Sequence, residues 1–134
     1  MSTQSPSKAQ LWGGRVASAL PAIGLILSGV MKVTHNADLV KQFVGHLGFP
    51  EGAMTPIGVV EITCAILYAI PATSVLGAVL LTGYLGGAIA AHVRLGEGFV
   101  PVAILGILVW GGLFLRDARI RALLPLRKAE SKDG

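Results

Sequence analysis

Six residues in this chain have types and settings that point to chemistry. Glu61 places a carboxylate inside an apolar run, PIGVVEITCAILYAI. A carboxylate there is costly unless it faces a protein interior and meets a partner. Lys32 closes a second apolar run, and His92 and Arg94 close a third, GYLGGAIAAHVR. An imidazole titrates near neutral pH, so a Glu/His couple can pass protons, while Lys and Arg beside it can hold negative charge. We take Glu61 and His92 as candidate catalytic, proton-handling residues, and Lys32 and Arg94 as candidate ligand-binding cations. Tyr84 lies two helical turns before His92 on the same line and is a candidate hydrogen-bonding group for a ligand. Trp110 is a candidate to stack on a ring.

Each residue also has a plainer reading. Glu61 and a cation can form a buried pair that fixes helix register. His92 can simply sit at an interface, and Tyr84 and Trp110 can be packing. Cys64, one turn from Glu61, reads as a small hydrophobe.

The elements that must position these residues are apolar helices. Of the 134 residues, 53% are hydrophobic and only 13% charged, about half the usual charged share for a soluble domain. The expected fold is an all-α integral membrane protein: an antiparallel four-helix transmembrane bundle with a short interfacial helix between spans one and two. The spans are placed at 16–33, 56–70, 74–93 and 100–115. They form one membrane domain over residues 13–125. Residues 1–12, MSTQSPSKAQLW, read as a disordered cytoplasmic tail, and 126–134 as a basic, polar cytoplasmic tail. No small-x-small cleavage site follows the first apolar run, so that run is expected to stay as an anchor.

Local signals set the finer expectations. Pro21 falls near the start of span one, where its missing N–H does least harm. In DLVKQFVGHLGF (38–49), Leu39, Val40, Phe43, Val44 and Leu47 recur at helical spacing. Asp38 is the expected cap of this interfacial helix and Gly48 its stop. Ser74 is the expected cap of span three. Gly83, Gly87 and Ala91 lie four apart and predict a smooth stripe against which another helix packs closely. The Arg116–Arg121 run reads as a stop-transfer and headgroup anchor.

Four spans put both ends of the chain on one side. That side holds Lys8, Arg15, Arg116, Arg119, Arg121, Arg127, Lys128 and Lys132; the other holds Lys32, Lys41 and Arg94. Positive residues favour the cytoplasm, so both termini are expected there, in a bacterial inner membrane. Lys32, Glu61, His92 and Arg94 then fall at one depth, toward the outer leaflet. Together they are expected to line an outward-facing polar pocket for a small lipophilic or anionic ligand. The net charge of +4 belongs with lipid headgroups rather than with nucleic acid. One cysteine allows neither an internal disulfide nor a dithiol pair, and no metal-ligand spacing occurs.

SGVMK (28–32), LGFPEGAMTPIGVVEI (47–62), GAVLLTGYLGGAIAAHVR (77–94) and VWGGLFLRD (109–117) resemble the DoxX-like family of small bacterial membrane proteins. On the family pattern Lys32 falls at its lysine, Glu61 at its glutamate, and His92 and Arg94 at its H-x-R. The resemblance implies a four-helix membrane bundle associated with redox complexes, with a quinone as the candidate cofactor or ligand. The expected partners are the lipid bilayer and either a redox enzyme or a second copy of the chain. Three rivals stay open: a stand-alone membrane isomerase or oxidoreductase using Glu61 and His92, a small proton-coupled exporter, and a structural scaffold. The residues alone leave open whether the protein is an enzyme.

Overall fold

The computed structural model describes residues 5–127. The outer parts of the two expected tails, 1–4 and 128–134, with Lys128 and Lys132, lie outside the described residues. Among the described residues all regular structure is helical. Segments Lys8–Val33, Glu51–Ala69 and Pro71–Arg94 are long and apolar enough to cross a membrane, and Val100–Arg116 is a shorter apolar helix.

The first helix, α1 (Lys8–Val33), begins well before the expected span. Its start is a capping box. The Gln10 N–H donates to Ser7 Oγ (3.1 Å), and the Ser7 N–H donates back to Gln10 Oε1 (2.9 Å). Two N–H groups that a helix start leaves orphaned are thereby satisfied. Much of the expected N-terminal tail is therefore helix, and Pro21 sits in the helix interior rather than near its start. There it is buried on the contact face. Gly14, Ser18, Pro21, Leu25, Gly29 and Lys32 recur every three or four residues along that buried face. Trp12, Val16, Leu20, Ile23 and Leu27 form an opposite, exposed apolar face.

α1 ends in a Schellman turn. The Asn36 N–H donates to Met31 O and the His35 N–H to Lys32 O. His35 takes the left-handed conformation (φ 52°) that glycine usually fills. Next comes α2 (Ala37–Val40), which widens into a π-helical turn over Lys41–His46. Its cap is Asn36, whose Oδ1 accepts from the Asp38 N–H (3.1 Å), not the expected Asp38. Gly48 does end the segment, at φ +78°.

α3 (Met54–Ala69) and α4 (Ser74–Arg94) are joined by a tight 3₁₀ turn, Pro71–Thr73. Ser74 does not cap α4. It is the first helical residue, and its hydroxyl donates back to Tyr68 O (2.8 Å), tying the turn to α3. α4 closes with a glycine Schellman turn at Gly96 (φ +72°). α5 (Val100–Arg116) carries Pro101 in its first turn, where a missing N–H is harmless. α6 (Ala118–Leu123) is a short helix capped by Asp117.

α1 packs on α3 and α5, and α4 packs on α3 and α5. Glycines set the close approaches. A Cβ on Gly58 would lie 2.8 Å from Gly29 O and 2.9 Å from the Lys32 Cβ. One on Gly77 would lie 2.5 Å from the Tyr68 Cα. Tyr68, Ala65, Leu81, Leu85, Val109 and Leu113 form the centre of the apolar core.

Candidate functional site

Glu61 lies on the buried face of α3 with Gly58, Cys64, Ala65 and Tyr68. Helical spacing puts these residues on one line. Because Gly58 lets α1 approach closely, the last turn of α1 reaches Glu61. There Lys32 Nζ donates to Glu61 Oε2 at 2.6 Å. Both residues are buried, with the Glu61 side chain 1% exposed. Lys32 Nζ also donates to Ser28 Oγ (2.9 Å) and to Tyr84 Oη (3.3 Å). Three helices thus meet at one ammonium: α1 gives Lys32 and Ser28, α3 gives Glu61, and α4 gives Tyr84. An ammonium has three N–H donors, and all three are used.

Above this cluster lies a cavity of about 570 Å³. Ser28, Lys32, Gln42, Tyr84 and His92 are its polar lining. The rest of the wall is apolar, with Leu39, Phe43, Leu47, Phe49 and Ile57 on one part and Gly83, Gly87, Ala88 and Ala91 on another. The Gly83–Gly87–Ala91 stripe was expected to pack a helix. Instead it lines the cavity, and a Cβ on Gly83 or Gly87 would meet nothing within 4 Å. The space exists because those side chains are missing.

The segment 37–49 roofs the cavity. Phe43 and Phe49 stack at 4.8 Å between centroids, and the Phe49 N–H donates to Phe43 O (3.1 Å). Two residues from the end of α4 and its following loop hold the roof. Arg94 Nη2 donates to Leu47 O, and its guanidinium lies 5.9 Å from the Phe49 ring. His46 Nε2 pairs with Glu97 Oε1.

These positions sort the sequence-derived candidates. Lys32, Tyr84 and His92 line the cavity. Glu61 sits behind Lys32 and does not line it. Arg94 holds the roof rather than lining the cavity. Trp110 is elsewhere: its Nε1–H donates to Thr82 Oγ1 (2.8 Å), which joins α5 to α4. The expected polar pocket is therefore a mostly apolar cavity with a polar floor. His92 Nδ1 lies 2.7 Å from Ala88 O. A carbonyl only accepts, so Nδ1 carries the proton, and Nε2 of the neutral ring is left as an acceptor. No hydrogen bond joins His92 to Glu61 among the described residues.

Ser28 and the roof aromatics were not singled out as site residues. Ser28 had a signal, since it lies one turn before Lys32 on the same face. Phe43 and Phe49 had none, because their role depends on how the roof folds over α4. Among the described residues, no three His, Cys, Asp or Glu side chains group closely enough to hold a metal.

A second polar group lies at the other end of the α3 line. Tyr68 Oη donates to Val109 O (2.7 Å) and sits 2.8 Å from Ser18 Oγ. The Arg116 guanidinium lies 5.5 Å from the Tyr68 ring. Arg121 Nη1 donates to the Phe114 and Leu115 carbonyls, and Arg119 pairs with Asp117. Within the run expected to face lipid headgroups, Arg116 and Arg121 also contact the helices, while the Arg119 side chain is 80% exposed.

The family model described as DoxX-like family matches residues 16–112, which include every candidate site residue. No curated protein and no solved structure matches the chain.

Proposed function

This chain belongs to the DoxX-like family, and from that premise we propose that it is a multi-pass membrane protein whose cavity holds a small lipophilic ligand. In this reading α1, α3, α4 and α5 cross the bilayer as an antiparallel four-helix bundle. Both termini lie in the cytoplasm of a bacterial cell, and the cavity opens toward the outer leaflet. The uneven distribution of basic residues supports this orientation. The protein acts as a redox-associated membrane subunit, working with a redox enzyme or a second copy of itself, and a quinone is the leading ligand.

One observation carries the proposal: a cavity of about 570 Å³ bounded by an aromatic roof, a small-residue wall and a polar floor. Its size and mostly apolar lining suit a small molecule taken from the membrane. The exporter reading loses ground because Glu61 is already engaged by Lys32. Catalysis by a Glu61/His92 couple loses ground because Glu61 lies behind Lys32.

The test is mass spectrometry of lipophilic molecules that co-purify with the protein, wild type beside Gly87→Leu. A Cβ at Gly87 meets nothing within 4 Å, and the longer side chain takes up cavity space. A defined molecule retained by wild type and lost from Gly87→Leu is the expected result. Identical profiles would favour the scaffold reading.

A further inference from the structure

We propose that the ligand is uncharged, carries a flat ring and a hydroxyl, as the reduced quinol form of a quinone does, and is selected by the buried Lys32–Glu61 pair. This rests on the cavity being a ligand site.

The argument begins at Lys32. A lone lysine at the floor of an apolar cavity would attract carboxylates or phosphates. Here its three N–H groups are taken by Ser28, Glu61 and Tyr84 at 2.9, 2.6 and 3.3 Å. Its charge is neutralised by a carboxylate that is 1% exposed. An anion entering the cavity would have to displace one of these acceptors. It would also come close to the Glu61 carboxylate among apolar walls, where like charges repel strongly. A neutral molecule meets neither cost.

In the remaining polar lining Gln42 can both donate and accept, so the demand on the ligand's head is set by the neutral His92 ring. His92 offers Nε2 as an acceptor, because Nδ1–H is spent on Ala88 O. An acceptor calls for a ligand hydroxyl. The walls define the body. Phe43 and Phe49 present a stacked aromatic pair, and Gly83 and Gly87 present bare backbone. A planar ring can lie flat on the second with its edge against the first.

The experiment compares 2-naphthol with 2-naphthoate, which share a ring system and differ in charge at neutral pH. Binding to detergent-solubilised protein is read by naphthalene fluorescence, and Gly87→Leu in the same micelles gives the background. Saturable 2-naphthol binding, lost in Gly87→Leu, with 2-naphthoate weaker by about tenfold or more, is the expected result. Equal or tighter binding of 2-naphthoate would overturn the inference and leave the cavity reading standing. No binding of either probe above the Gly87→Leu background would overturn both. In Glu61→Gln the ammonium loses its counter-charge, so the ratio should move toward 2-naphthoate by about tenfold. An unchanged ratio in a folded variant would show that the pair does not select charge. If that variant does not fold, the wild-type comparison decides alone.

Discussion

Lys32 and Glu61 depend on each other more than on the fold around them. In a buried ion pair mutual attraction offsets at most part of what the two charges lose on leaving water, and removing one partner strands the other without that offset. Glu61→Gln or Lys32→Met is expected to destabilise the protein by about 3–5 kcal/mol, whereas replacing both with Met costs far less. Thermal unfolding of the three variants in detergent checks this, and equal losses for single and double variants would contradict it. At this scale the sequence was informative where an ionisable residue sat in an apolar run. Glu61 and Lys32 were legible for that reason, but depth offered Lys32, Arg94 and His92 alike as partners of Glu61, and the structure selects Lys32. Arg94 and Trp110 were read as ligand contacts because type and depth were the only guides. Direction was missing, and direction is what sends Arg94 to the Leu47 carbonyl and Trp110 to Thr82.

Among the elements, helix contacts are set by absent side chains, and two glycines on α4 make contrasting tests. Gly77→Ala would push a Cβ against the backbone of Tyr68 and Leu67, which cannot rotate away. A loss of about 1–3 kcal/mol or more is expected. Gly86→Ala meets nothing within 4 Å and should cost nothing. Denaturation of the two variants side by side separates packing glycines from open ones. The joint between α5 and α6 gives a pH test. Asp117 caps α6 by accepting from the Arg119 N–H (2.9 Å), and the Arg119 guanidinium beside it holds its carboxyl below the usual range. Its contribution to stability is therefore present above a pH of about 3.9. It is lost as pH falls through the lower folded value. Asp117→Ala should cost about 1 kcal/mol, while Asn keeps the cap and removes the pH dependence. Tryptic cleavage at Arg119 and Arg121, followed against pH, reads both effects. The elements themselves were largely legible, since apolar length and turn residues bracket α3, α4 and α5. The start of α1 was missed: Ser7 and Gln10 stand three apart as a capping box requires, but the polar composition around them reads as a tail. The roof was only half legible. Its apolar spacing marked a helix, but no local pattern records the π-helical widening at Lys41–His46 or the contacts of Leu47 and His46 with Arg94 and Glu97.

For the whole molecule, the proposed orientation makes a direct prediction. In a Cys64→Ser background, Glu51→Cys and Glu97→Cys should react with a membrane-impermeant maleimide on intact cells. Ser5→Cys should react only after permeabilisation. The reverse pattern would invert the protein in the membrane. The lengths of the helices reach further. α1 has 26 residues and α5 has 17, or about 39 and 25 Å at 1.5 Å per residue. In the proposed four-span arrangement α5 falls short of a hydrocarbon core of about 30 Å, so beside it the lipids would shorten or the membrane dimple, while the first turns of α1, with Lys8 and Arg15, would project. The proposed arrangement therefore predicts a preference for membrane thickness. In vesicles of graded acyl-chain length its stability should peak with shorter chains, and the lipids gathered along α5 should differ from those along α1.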